Sequence, residues 1–118
     1  MDTGRIKMQD FNGVLYCDAY MNDEFSVEDL QAMRDEIRKN YSSPADVILK
    51  KVGTYSVSPE AQKTLWKGIE EFRNFIYVVD NEWKRDSAEY AAKSYMRLYN
   101  TRVASSKEEA YAMLVAGR

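Results

Sequence analysis

The spacing of apolar residues changes several times along the chain, and each change marks an element. Between residues 5 and 20, Ile6 and Met8 alternate with Arg5, Lys7 and Gln9, the two-residue period of a half-buried strand. Asn12-Gly13 then offers the positive φ angles of a tight hairpin turn. A return strand from Val14 to Tyr20 places Leu15, Cys17 and Ala19 on one face, with Val14, Tyr16, Asp18 and Tyr20 on the other. The period lengthens at Ser26. Ser26 and Asp29 read as a capping box, Phe25 and Leu30 as its hydrophobic staple. Leu30, Met33, Ile37 and Tyr41 continue at helical spacing until Ser42-Ser43-Pro44, where proline forces the preceding residue out of the helical region.

Val47-Ile48-Leu49 has no alternation at all, as expected of a strand covered on both faces, and the strand reaches about Val52 before Gly53 breaks it. Ser58-Pro59 opens a second helix, serine as cap and proline in the first turn. Its inner stripe is read as Ala61, Leu65, Ile69 and Phe72. A continuously apolar strand follows from Phe75 to Val79. The third helix is expected to begin near Asp86, capped with help from Glu89, and to face inwards through Ala88, Ala92, Tyr95 and Tyr99. A short strand from Thr101 to Ala104 leads to a last helix, which opens on a Ser106/Glu109 capping box and buries Ala110, Met113 and Leu114. The order ββαβαβαβα with short connections predicts an α/β fold, one mixed and mainly parallel sheet with flanking helices.

Composition narrows the function classes. The 118 residues, 45% hydrophobic and 31% charged, fit one domain spanning 1–118 with a core that needs no staples. The net charge of −2 is spread along the chain, without the basic stripe of a nucleic-acid surface. No apolar run approaches the ~20 residues of a membrane span, and the first residues lack a secretion signal. A cytoplasmic protein with no nucleic-acid or membrane partner is the expectation. Cys17 is the only cysteine and histidine is absent. That removes the usual general base, the usual zinc ligand and every histidine-activated nucleophile. No metal, cofactor or catalytic residue is expected, and the chain reads as a non-enzyme.

Three stretches carry a family resemblance: Asn12-Gly13-Val14 at the hairpin; Val47-Ile48-Leu49-Lys50-Lys51-Val52-Gly53 followed by Ser56-Val57-Ser58-Pro59-Glu60-Ala61; and the ending Ser106-Lys107-Glu108-Glu109-Ala110-Tyr111-Ala112-Met113-Leu114. Together with the element order, they resemble STAS domains, the fold of bacterial anti-sigma-factor antagonists and of sulfate-transporter tails. The likeness is to a branch of small bacterial STAS-like proteins of unknown function. It implies a protein-binding, regulatory module. The antagonists carry an acidic residue, serines and glycines where the helix after this strand begins. Here Ser56-Val57-Ser58-Pro59-Glu60 keeps serine and lacks the rest.

The candidate sites follow. Ser58, and after it Ser56, are candidate phosphate acceptors or anion sites, since a helix N-terminus stabilises added negative charge; an N-cap before proline explains Ser58 fully and is the preferred reading. Trp83 lies among Asn81, Glu82, Lys84 and Arg85, so Trp83 with Arg85 forms a candidate docking surface. Arg85, Lys93, Arg97 and Arg102 are a possible anion cluster, against a solvated ladder through Glu89. Cys17 reads as a buried small hydrophobe, and the remaining aromatics, Trp66 and Tyr90 among them, as core. The leading expectation is a module that binds a protein partner. The alternative is a carrier holding an apolar ligand between sheet and helices. A homodimer through the unpaired hairpin edge, which carries Tyr16 and Tyr20, is also open.

Overall fold

A computed structural model describes residues 1–118. The hairpin forms as β1 (Ile6–Phe11) and β2 (Val14–Ala19), turning through Asn12 and Gly13, both at positive φ. Then come β3 (Glu24–Phe25), α1 (Val27–Asn40), β4 (Ala45–Lys51), β5 (Ser56–Val57), α2 (Pro59–Lys67), β6 (Phe72–Val78), α3 (Glu82–Lys93), β7 (Arg102–Ala104) and α4 (Lys107–Ala116), with a 3-10 turn at Arg97–Tyr99. The two-residue strands β3 and β5 pair with each other in a small separate sheet. They are additions to the expected order.

The main sheet has the order β1-β2-β4-β6-β7, antiparallel only between β1 and β2. The two continuously apolar segments are therefore central: Val47, Ile48, Leu49 and Phe75 to Val79 are all buried. One face carries Leu15, Cys17, Val47, Leu49, Phe75 and Tyr77. It packs under Leu30, Met33 and Ile37 of α1, Ala61 and Leu65 of α2, and Ala88 and Ala91 of α3. The other face presents Val14, Tyr16, Ile48, Ile76 and Val78 to Ala110 and Leu114 of α4. Three helices cover one side and one covers the other.

Two boundaries differ from the sequence reading. Helix α2 stops at Lys67, with Gly68 at φ +105, so Ile69 and Phe72 lie beyond it and Phe72 opens β6. Helix α3 begins at Glu82 rather than near Asp86. Asn81 is the cap, its Oδ1 accepting the Lys84 N–H at 2.8 Å. It ends at Lys93, which leaves Tyr99 in the 3-10 turn. There Tyr99 stays buried, its hydroxyl donating to Leu65 O at 2.6 Å. Both differences have one cause: the strand ends fix where the chain must turn, and several residues are competent caps.

Candidate functional site

Ser58 is the N-cap of α2. Its Oγ accepts the Ala61 N–H at 3.1 Å, its own N–H donates to Phe25 O at 2.9 Å, and the residue is 3% exposed. The hydroxyl therefore faces the protein, and a modifying enzyme would reach it only if the first turn of α2 opened. Ser56, in β5, is exposed. One serine faces solvent and the other is buried in the cap of α2, and no hydrogen bond joins them into one site.

Trp83 is 62% exposed on α3. Arg85 points elsewhere, since two residues along a helix turn the side chain through about 200°. Its guanidinium donates to Ser105 Oγ at 2.8 Å and lies 3.9 Å from Glu89. It lines a groove with Glu89, Lys93 and Arg102. Arg97 lies outside that group, 4.7 Å over the ring of Trp66. The structure thus separates Trp83 from Arg85, and Arg97 from the other three cations.

What Trp83 does share a side with is Tyr90, seven residues on and two turns along the helix. Tyr90 is 67% exposed, and Trp66, on α2, is half exposed. Between α2 and α3 runs an open groove of about 330 Å³, lined by Pro59, Gln62, Lys63, Trp66, Tyr90 and Tyr95. The expectation from spacing that Trp66 and Tyr90 are core is corrected: α2 turns Ala61 and Leu65 inwards and α3 turns Ala88 and Ala91 inwards, leaving the large rings outside. The charged neighbours around Trp83 were the available signal. Trp66-Lys67-Gly68 and Glu89-Tyr90 carry a weaker version of it.

The interior is nearly full. Beneath α1 and α2 a cavity of about 20 Å³ is bounded by twelve apolar side chains, including Phe25, Leu30, Leu49, Tyr55, Tyr77 and Tyr95. Cys17 is completely buried, and burial pushes its thiol up, away from the reactive thiolate. The free sheet edge is not bare either. Met8 N–H donates to Met1 O at 2.7 Å and Asp2 bridges to Lys7, so the first residues fold along β1. Tyr16 is buried beside Phe11 rather than offered at that edge. Tyr20 is committed to Asp2 through a 2.7 Å hydrogen bond.

The last element is at the carboxyl end of β4. Lys51 there is 5% exposed, and Lys84, reaching across from α3, is 6% exposed. Neither is among the candidate residues read from the sequence, where Lys51 falls inside the strand that reaches about Val52. No helix is long and apolar enough to cross a membrane, and nowhere do three acidic or cysteine side chains converge as metal ligands would.

No family model matches the chain, and no curated protein does. Among solved structures it is similar to an uncharacterised DUF3478-family protein from Shewanella loihica PV-4, described as having a SpoIIAA-like fold. The likeness has a TM-score of 0.59 at 15% identity and covers 92% of this chain and 91% of the other. Identity so low speaks for architecture alone. The chain therefore has a SpoIIAA-like fold, the STAS-like arrangement of a mainly parallel five-stranded sheet and four helices.

Proposed function

We propose that this protein is a non-catalytic interaction module of the bacterial cytoplasm that binds a protein partner through the outer face of α2 and α3. The observation that carries this reading is the row Trp66, Trp83 and Tyr90, each at least half exposed on neighbouring helices. Tryptophan, tyrosine and arginine are the residues that most often dominate the binding energy of protein interfaces. Arg97, stacked on Trp66, adds the third type. Exposed rings of this size are otherwise a solubility cost with no gain in the fold. The groove begins at Pro59, so the start of α2, the place where the resemblance puts regulation, lies at one end of the surface.

The carrier alternative has less support. Ligand pockets usually measure roughly 300–1,000 Å³, against about 20 Å³ here. A carried ligand would require α1 and α2 to separate from the sheet.

The test compares the wild-type protein with a Trp66→Ser/Tyr90→Ser double variant as bait in the host lysate. Wild type should retain one protein in stoichiometric amount. The double variant should bind that protein at least about 30-fold more weakly, the equivalent of one 2 kcal/mol hot spot, while melting at the same temperature. Equal retention by both baits would overturn the reading, as would a wild-type bait that retains nothing.

A further inference from the structure

Lys51 ends the central strand of the sheet with a charge that the fold does not balance. Its Nζ sits 4.1 Å from the centre of the Tyr55 ring and 5.3 Å from that of Tyr77. No carboxylate or carbonyl receives it, and the one charge that acts on it is the like charge of Lys84. Aromatic faces attract an ammonium, but they replace only part of the water it has lost. Burial, with Lys84 adding to it, brings its pKa down to about 8. A methionine would fill the same space between the rings with no such penalty.

The charge that acts on Lys51 is itself a cation. Lys84 stands in the first turn of α3, where the helix dipole disfavours a cation. Its Nζ donates to Val52 O at 3.0 Å, directly after Lys51 in the chain, and lies 3.3 Å from Asp80. Asp80 is itself 61% exposed, so much of its charge is answered by water. The other titratable groups around Lys51 are Tyr55, Tyr77 and Tyr95, all held neutral by burial. Two buried ammonium groups and the N-terminus of a twelve-residue helix are answered here only by exposed carboxylates, Asp80 and Glu82, which leaves the buried side short of negative charge. It lies beyond the carboxyl ends of parallel strands, the usual place for ligands in sheets of this kind.

We propose that Lys51 and Lys84 form a binding site for a small oxyanion, a single carboxylate or phosphate group, which supplies the missing counter-charge. Burial of both lysines limits the site to a headgroup approaching from the Val52–Thr54 and Asp80–Asn81 loops. An anion settling there favours the protonated form of Lys51, so binding and protonation are linked.

Calorimetric titration of the full chain at pH 8 with inorganic phosphate, and separately with acetate, reads the affinity and separates the two sources of oxyanion. NMR of the Lys51 ε-methylene group reads its titration midpoint. The expected result is saturable binding of at least one anion, with the Lys51 midpoint raised by about one unit or more. Lys51→Met should fold and lose at least tenfold in affinity; Lys84→Met should also bind more weakly. Trp66→Ser/Tyr90→Ser should bind the anion as wild type does. Binding that survives Lys51→Met unchanged, a Lys51 midpoint unmoved by saturating anion, or no saturable binding of either anion at tens of millimolar would each overturn the proposal. The midpoint is measured on the wild-type protein, so the outcome does not depend on any variant folding.

Discussion

The Ser58 hydroxyl already has work in the fold: it satisfies the Ala61 N–H at a helix end shielded from water. Serine caps typically contribute about 1 kcal/mol. Ser58→Ala should therefore lower stability by about 1 kcal/mol, read as a reduced urea midpoint with an unchanged denaturant slope. An unaltered midpoint would show that the cap bond is not formed in solution. The capping role of Ser58 was legible from Ser-Pro alone, because cap chemistry is local. Its inaccessibility was not, since that depends on Phe25 arriving from a strand more than thirty residues earlier. Trp66 and Tyr90 show the reverse error. Their helical spacing is compatible with either face, and only the helix orientation over the sheet assigns them to the outside.

Elements are held in place here by a few close backbone approaches. After β4, the N–H groups of Val52 and Gly53 both donate to Ala19 O, at 3.1 and 3.0 Å. A Cβ on Gly53 would come within 1.9 Å of Met21 O. Backbone cannot swing aside as a side chain can, so Gly53→Ala must push this loop off the end of β2. The expected cost is about 2 kcal/mol or more. Hydrogen exchange should show the Val52 and Gly53 amides losing protection first; protection equal to wild type would refute the clash. In the sequence Gly53 reads as the end of a strand, which it is. The stronger reason for glycine is a contact between distant segments that periodicity does not encode. The misplaced start of α3 has a related origin. Asn81 and Asp86 are both competent caps, and β6 ending at Val78 selects the earlier one.

Across the whole molecule, buried carboxylates tie elements together, Glu71 and Asp46 among them. Glu71, 1% exposed, accepts from Arg34 Nε at 2.8 Å and Arg38 Nε at 2.7 Å, clamping α1 to the start of β6. Asp46 accepts from Arg73, Asn74 and Arg118, joining β4, β6 and the C-terminus. Burial acts to raise both pKa values, but the arginine and asparagine hydrogen bonds outweigh it and hold both carboxyls below their ordinary 4.5 and 3.8. A depressed folded pKa means that the unfolded chain takes up protons first as the pH falls. The stabilisation is complete above about pH 5 and drains away as the pH drops through the ordinary values towards the lower folded ones. Glu71→Gln should cost about 1.5–3 kcal/mol at pH 7 and flatten the acid limb of a stability–pH curve. A parallel downward shift of the whole curve would show that Glu71 does not titrate as described.

Local chemistry along the chain is enough to set the alternation of strands and helices, the two central apolar strands and three of the four helix caps, Ser26, Ser58 and Ser106. All of these rest on interactions within a few residues or on a run of uniform hydrophobicity. Packing across the molecule assigned which aromatic rings face water, how the N-terminal residues cover the hairpin edge, and that the buried Lys51 and Lys84 come near each other. Those outcomes depend on the rotation of helices over the sheet and on segments brought together from distant parts of the chain. A side chain's neighbours along the sequence carry no record of either.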